Sequence, residues 1–420
     1  MWLRFGVRGA GLFALAAPAL ARETFDACAA AAASQYEAGY EAIGLNSDAM
    51  DAAHAIAVCT TALAASPDAA PLQAWLGRAY ATTGDAATAA TYLEPSAVAG
   101  NALAQTLLGD MLIVGDGVPQ DMVRGADLLK LAADAGFAPA EDSLGLSYDY
   151  AEGVEQNQVE AARLYRRAAE KGVARAMANL GSMYAEGLGL DRDIVAAAAW
   201  YQRAADKGDP RAQFNLGELY ETGALGEVDH ERAATLFRAA AGQGNAMAAN
   251  ALGHLTQHSS GATPDPAAAL ALYQQAADQG LAQAQLNLGL LYEDGIGVPR
   301  DLALARQYYR QASESGNSDA SARLGLVYLR SGEADYGKAV QFTQRAADAG
   351  NPVGLDTLGH LFEHGYGVAR NPDKALDSYH QAADLGYRPA ADNLARLEAT
   401  LSAPLDGAGV RTYPRSKIAN

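Results

Sequence analysis

Gly136, Gly172, Gly208, Gly244, Gly280 and Gly316 follow one another at a spacing of 36 residues. Gly350 and Gly386 continue the series after one interval shortened to 34, and Gly100 precedes it. A fixed period of this size marks a stacked array of small supersecondary units, none of which can bury its apolar face alone. It also changes how the length of 420 residues is read. Such a length normally suggests two or three domains, whereas a repeat array grows without one central core.

The units can be written over one another. Each of the eight between residues 101 and 386 has Leu-Gly at its eighth and ninth positions, from Leu108-Gly109 to Leu358-Gly359. Most have an aromatic three residues later: Tyr148, Tyr184, Tyr220, Tyr292, Tyr328 and Phe362. Most have a second aromatic seven residues before the closing glycine: Tyr165, Tyr201, Phe237, Tyr273, Tyr309 and Tyr379. An Ala-Ala pair follows, as at Ala168-Ala169.

Alanine at position 4, leucine at 8 and the aromatic at 12 recur every four residues, the spacing of one helical face. The sequence therefore predicts a first helix, A, in each unit. Glycine at position 9 costs about 1 kcal/mol relative to alanine in a helix, so packing must demand it. Next come loop glycines such as Gly115 and Gly117 or Gly295 and Gly297, which permit positive φ. Then every unit has Asp or Asn: Asp121, Asn157, Asp193, Asp229, Asp265, Asp301, Asp335 and Asn371. Such a side chain accepts a hydrogen bond from an unpaired N–H at a helix start, which predicts a second helix, B. Abundant alanine and few β-branched runs suit helices throughout.

These residues resemble the Sel-1-like repeat, a relative of the tetratricopeptide repeat, over residues 101–386. The resemblance implies an all-α fold: an α-solenoid of antiparallel helix pairs stacked into a right-handed superhelix with a concave inner surface. Local departures are expected to pack loosely or to bend the array. Unit 245–280 has Thr256 in place of the aromatic and lacks loop glycines around Ser259; unit 317–350 has a shortened loop; unit 101–136 carries Leu112 and Leu129 instead of aromatics. Upstream, residues 69–100 keep a compressed frame, with Leu76-Gly77, Tyr80 and a Gly84-Asp85 turn, and resemble a plain tetratricopeptide-type unit.

The first 21 residues have the layout of a secretory signal: Arg4 and Arg8, a short apolar run at 11–20, and Ala19-Leu20-Ala21 before a cleavage point at Arg22. The apolar run is too short to span a bilayer comfortably. Export makes Cys28 and Cys59, the two cysteines of the chain, candidates for a disulfide. Residues 22–68 are then expected to form a cysteine-stapled helical hairpin at the N-terminal end. Cys59 shares a face with Ala55, Ala62 and Leu63. At the other end, 387–401 is expected to form a capping helix whose Arg388, Asp392, Arg396 and Glu398 make a wetted outer face, and 402–420 a disordered tail.

The formal charge of −18 is a poor match for nucleic acid, whose phosphates Lys and Arg must neutralise, and for anionic membranes, so neither is assigned as a partner. No P-loop, G-x-S-x-G, S-x-x-K or dinucleotide fingerprint is present. His360-Leu361-Phe362-Glu363-His364 fits an H-x-x-E-H pattern. Each of its residues nevertheless falls on the repeat frame, in the places of Leu290, Glu293 and Asp294, so it reads as a repeat helix rather than a metal centre. His254 and His258 sit four apart without a third ligand nearby. No catalytic residue, metal or cofactor is assigned.

Asn179, Asn215 and Asn287 occupy one slot, just before Leu-Gly, in three units. In related superhelices asparagines on helix A grip extended peptides, and an amide supplies both a donor and an acceptor for a peptide bond. The resemblance thus implies a non-enzymatic, monomeric adaptor or regulator in the periplasm or medium, binding proteins or peptides. Two alternatives stay open: a cell-wall glycan or peptide binder or weak hydrolase, and a structural scaffold of an envelope complex.

Overall fold

The computed structural model describes residues 10–42, 44–46, 49–258, 264–330 and 335–402, with side chains from residue 21 onward. Within them lie 21 helices and no strand. The chain is an α-solenoid of antiparallel helix pairs, in two compact units that meet in sequence at Val228 and Asp229. The positive n-region, the side chains of the 11–20 run, the loop at Ser259, the shortened loop at 331–334 and the tail after Ser402 lie outside the described residues.

In both units the repeat frame becomes paired 13-residue helices, such as Ala174–Glu186 with Ile194–Asp206 and Ala282–Asp294 with Leu302–Glu314. All eight expected capping residues do the predicted work. Asp121, Asn157, Asp193, Asp229, Asp265, Asp301, Asp335 and Asn371 each accept a backbone N–H at the start of a helix B. One such cap is worth about 1 kcal/mol. In four repeats helix A ends at a left-handed glycine, for example Gly187 at φ 77°, whose N–H returns to Met183.

The position-9 glycine is explained by its neighbour. A methyl group built on Gly181 would come within 2.6 Å of the Tyr201 ring, and one on Gly289 closer still to Tyr309. The helix-B tyrosine lies flat on bare helix-A backbone, and Tyr165, Tyr273, Tyr309 and Tyr379 are fully buried there. Loose packing was expected at Leu112 and Leu129, but both are buried. The reason is a second glycine: Gly125 faces the Gly109 carbonyl, so the backbones approach each other and smaller leucines fill the gap.

At the N-terminal end the helices Ala10–Ala32 and Ala52–Ala65 are joined by the Cys28–Cys59 disulfide, with Cα atoms 4.7 Å apart. Both cysteines are buried, beside Ala55 and Ala62. The expected hairpin is not a plain one. The described residues between Ala33 and Asp51 form an irregular strap held from the helix Ala70–Thr82. Arg78, itself buried, donates to the Ala32 and Ala33 carbonyls at 2.9 Å and to that of Leu45 at 2.6 Å. Trp75 packs edge-on against Phe25 and Tyr40 and donates its indole N–H to Glu37 at 2.9 Å. Removing the bridge with Cys28→Ala/Cys59→Ala should cost about 3 kcal/mol for this loop length, read as a lower denaturant midpoint of the first unit. An unchanged midpoint would show that Trp75 and Arg78 hold the strap without it.

The C-terminal helix spans Arg388–Ser402, and its outer face departs from expectation at one residue. Arg388, Asp392 and Glu398 are exposed, but Arg396 turns inward to Glu363. No helix among the described residues is long and apolar enough to cross a membrane.

Candidate functional site

Helix A of one repeat packs against helix A of the next within each unit, as Ala102–Val114 does against Ala138–Tyr150 and Ser318–Arg330 against Pro352–His364. Polar residues at repeat positions 6 and 7, which lie on these helices, therefore meet across repeats. Asn179, Asn215 and Asn287 are all half-buried, and none stands idle. Asn179 donates to Asp142 at 3.1 Å and accepts from Arg211 at 3.4 Å. Asn287 donates to Asn250 at 2.9 Å, and Asn215 hydrogen-bonds the Tyr201 oxygen. Asn393 extends the pattern, donating to Asp356 at 2.9 Å.

Three of these contacts link residues 37 apart, position 7 of one repeat to position 6 of the one before. They latch neighbouring repeats, each contributing about 1 kcal/mol. An asparagine amide has two N–H donors and two carbonyl lone pairs. One latch thus leaves capacity for a ligand, and it fixes the direction in which that capacity points. Asn179 and Asn215 stand on successive A helices of the first unit, Asn287 in the second.

The first unit adds a charged row that sequence inspection missed. Asp142 is buried and takes an ion pair from Arg175, whose guanidinium also donates to the Ser143 hydroxyl at 3.0 Å. Ser143 in turn donates to Asp110 at 3.2 Å. Burial pushes the Asp110 carboxyl up to about 6, against the pull of Arg175 and Ser143. Burial likewise raises Asp142, and Arg175 opposes it. Beside it, buried Glu141 is paired with Arg167 at 2.5 Å and Lys171 at 2.8 Å. The available signal was Glu141-Asp142 itself, two adjacent carboxylates at a pair of places where no other repeat carries two.

In the second unit, His360, Glu363 and His364 have donor atoms within 4.8 Å of one another, the one such trio among the described residues. The carboxylate is already engaged. Glu363 receives both terminal nitrogens of Arg396, at 2.6 and 2.7 Å, and the Tyr379 hydroxyl at 2.9 Å. The analogous Tyr309 hydroxyl donates to Glu293 at 2.5 Å, in a repeat without histidines. The glutamate thus serves helix packing. His254 and His258 lie with ring centroids 4.6 Å apart and planes tilted by 36°.

Burial, and then the neighbouring His364, lowers the His360 imidazole to about 4; Glu363 opposes this shift and Arg396 adds to it. Its unfolded value is near 6.5. The buried neutral ring therefore contributes stability that is complete above pH 6.5 and is lost as pH falls from there to about 4. The full loss is on the order of 3 kcal/mol. His360→Leu, which restores the residue found at Leu290, should flatten this acid limb in a pH series of urea midpoints; an unaltered limb would refute the assignment.

Eight segments match the Sel1 repeat: 102–137, 138–173, 174–209, 210–245, 246–281, 282–317, 318–351 and 358–387. Among solved structures, the chain is similar to a protective antigen present in uropathogenic Escherichia coli strains, displaying an SLR fold. That protein is 28% identical, with 93% of this chain and 82% of that one covered and a TM-score of 0.69. A Sel1 repeat protein from Oxalobacter formigenes is 29% identical, with 73% and 89% covered and a TM-score of 0.55. No curated protein matches the chain.

Proposed function

The chain belongs to the Sel1 repeat family, and from that premise we propose that it is an exported adaptor or regulator that holds partner proteins or peptides along the helix-A faces of its repeats. Folds of this class are generally protein-interaction scaffolds and generally non-enzymatic. The observation that carries the proposal is the row Asp110, Ser143, Arg175, Asn179 and Arg211. Its hydrogen-bonded donors and acceptors are fixed in place before any ligand arrives. Preorganised polar groups lose little freedom when they bind, which favours recognition of an extended backbone.

Export is supported by three observations. Residues 1–21 have the layout of a cleavable signal. The Cys28–Cys59 disulfide suits an oxidising compartment. The Escherichia coli relative is called a protective antigen, which accords with exposure outside the cytoplasm. Cleavage before Arg22 would keep Phe25 and Cys28, so the Trp75 and Cys59 contacts would survive in the mature chain.

The test immobilises the mature chain, residues 22–420, against envelope extract of its source. A parallel column carries Arg175→Ala/Asn179→Ala/Asn215→Ala. Discrete proteins or peptides retained by the first and lost by the second support the proposal. Equal retention on both columns removes the helix-A row from it. Retention of muropeptide or glycan without protein replaces it by a cell-wall binder.

A further inference from the structure

Within the second unit, four arginines surround one cavity of about 300 Å³: Arg300, Arg306, Arg323 and Arg330. They come from three places. Arg323 and Arg330 lie seven apart on Ser318–Arg330, one face of that helix, with Leu326 and Val327 between them. Arg306 stands one turn after Leu302 on Leu302–Glu314. Arg300 reaches in from the loop, with its Nε pinned to the Glu293 carbonyl at 2.8 Å. Such convergence is unexpected in a chain of net charge −18.

Two of these arginines are not committed to any described partner. Neither Arg306 nor Arg323 makes a side-chain hydrogen bond or ion pair with another described residue. Arg323 fills the slot that Asn179, Asn215 and Asn287 fill elsewhere. Its latch partner would be residue 286, and there stands Leu286, buried and without an acceptor. Among the described residues of the lining Glu293 is the one carboxylate, and it already accepts the Tyr309 hydroxyl. Arg306 and Arg323 thus bring two uncommitted guanidinium groups to a lining whose one described carboxylate is already engaged.

We propose that this cavity binds a small ligand carrying at least two anionic oxygen groups, carboxylates or phosphates. A guanidinium presents a planar fork that matches such groups two bonds at a time. Several forks around one cavity favour a ligand with several such groups over a lone monoanion. Leu302, Leu326 and Val327 supply an apolar wall for the ligand's body, and the volume suits a small molecule. This site is independent of the partner-binding proposal above, since it lies in the other unit from the Asp110–Arg211 row.

Calorimetric titration of the mature chain with pyrophosphate and with citrate, at constant ionic strength, tests it; acetate serves as the monoanion control. Saturable one-to-one binding of at least one probe is expected, with Kd below about 1 mM, and none of acetate. Which probe binds more tightly separates phosphate from carboxylate ligands. Arg306→Gln/Arg323→Gln should weaken binding at least about tenfold. Arg238→Gln/Arg388→Gln, an equal change of charge at exposed sites of the same unit, should leave it within about twofold. Should the first pair fail to fold, Arg306→Lys/Arg323→Lys keeps the charge but removes the forks, and weaker binding is again expected. No saturable binding of either probe at about 10 mM would overturn the proposal. So would equal losses in the lining and surface variants, or undiminished binding by the lysine pair.

Discussion

Gly289→Leu should destabilise the second unit by about 3 kcal/mol or more, whereas Gly242→Ala should stabilise it by about 0.5 kcal/mol. Both residues are helical glycines of one unit, and opposite signs follow from what surrounds them. Gly289 lies directly beneath the Tyr309 ring, which is fully buried between its own helix and the next repeat. Any side chain there must push the ring out, and with it the hydroxyl that donates to Glu293. Around Gly242, at the end of His230–Gly242, a Cβ would meet nothing within 4 Å. Alanine there simply removes the freedom of the unfolded glycine. A repeat array need not unfold in one step, so hydrogen exchange over residues 282–314 should accompany the urea midpoint. Equal protection in Gly289→Leu and the unsubstituted chain would sink the close-approach explanation.

The sequence made the period, the helix pairs and the caps readable because each depends on residues within one repeat. Asp193 caps the helix that begins at the next residue, and Gly181 makes room for Tyr201 twenty positions on. What it hid depends on neighbours. The asparagine slot looked like a row of free amides, since the partner of Asn179 is Asp142, in the preceding repeat and one position out of register. A 36-residue alignment does not bring the two into one column. Arg323 was hidden in the same way: its meaning comes from Leu286, where an acceptor would have latched it. The strap has no periodicity to read, and its described residues Ala33 and Leu45 owe their place to Arg78.

Arg396 looked like an outer-face residue because its helix, taken alone, offers it to water; the buried carboxylate of the repeat before draws it in. Arg396→Met should cost about 3 kcal/mol at pH 7. Burial raises the Glu363 carboxyl, but the Arg396 fork and the Tyr379 hydroxyl outweigh it and hold the group below its usual range. A depressed folded pKa means stability that is present above the unfolded value near 4.5 and lost as pH falls through the folded one. Without Arg396 the burial remains and its compensation is gone, so the carboxyl should rise above that value and the sign reverse. Protonation would then relieve the variant as pH falls, while the unsubstituted chain loses its ion pair. The gap between them should therefore be widest near neutrality and shrink toward about pH 4. His360 titrates over part of that window in both proteins, so the comparison is made as a difference between paired urea midpoints. Glu363→Gln/Arg396→Met separates the causes: it removes the stranded charge and keeps the shape, so it should recover part of the loss at pH 7. A double variant as unstable as Arg396→Met, or a gap that does not change with pH, would show that Arg396 acts through packing of its carbon stem rather than through Glu363.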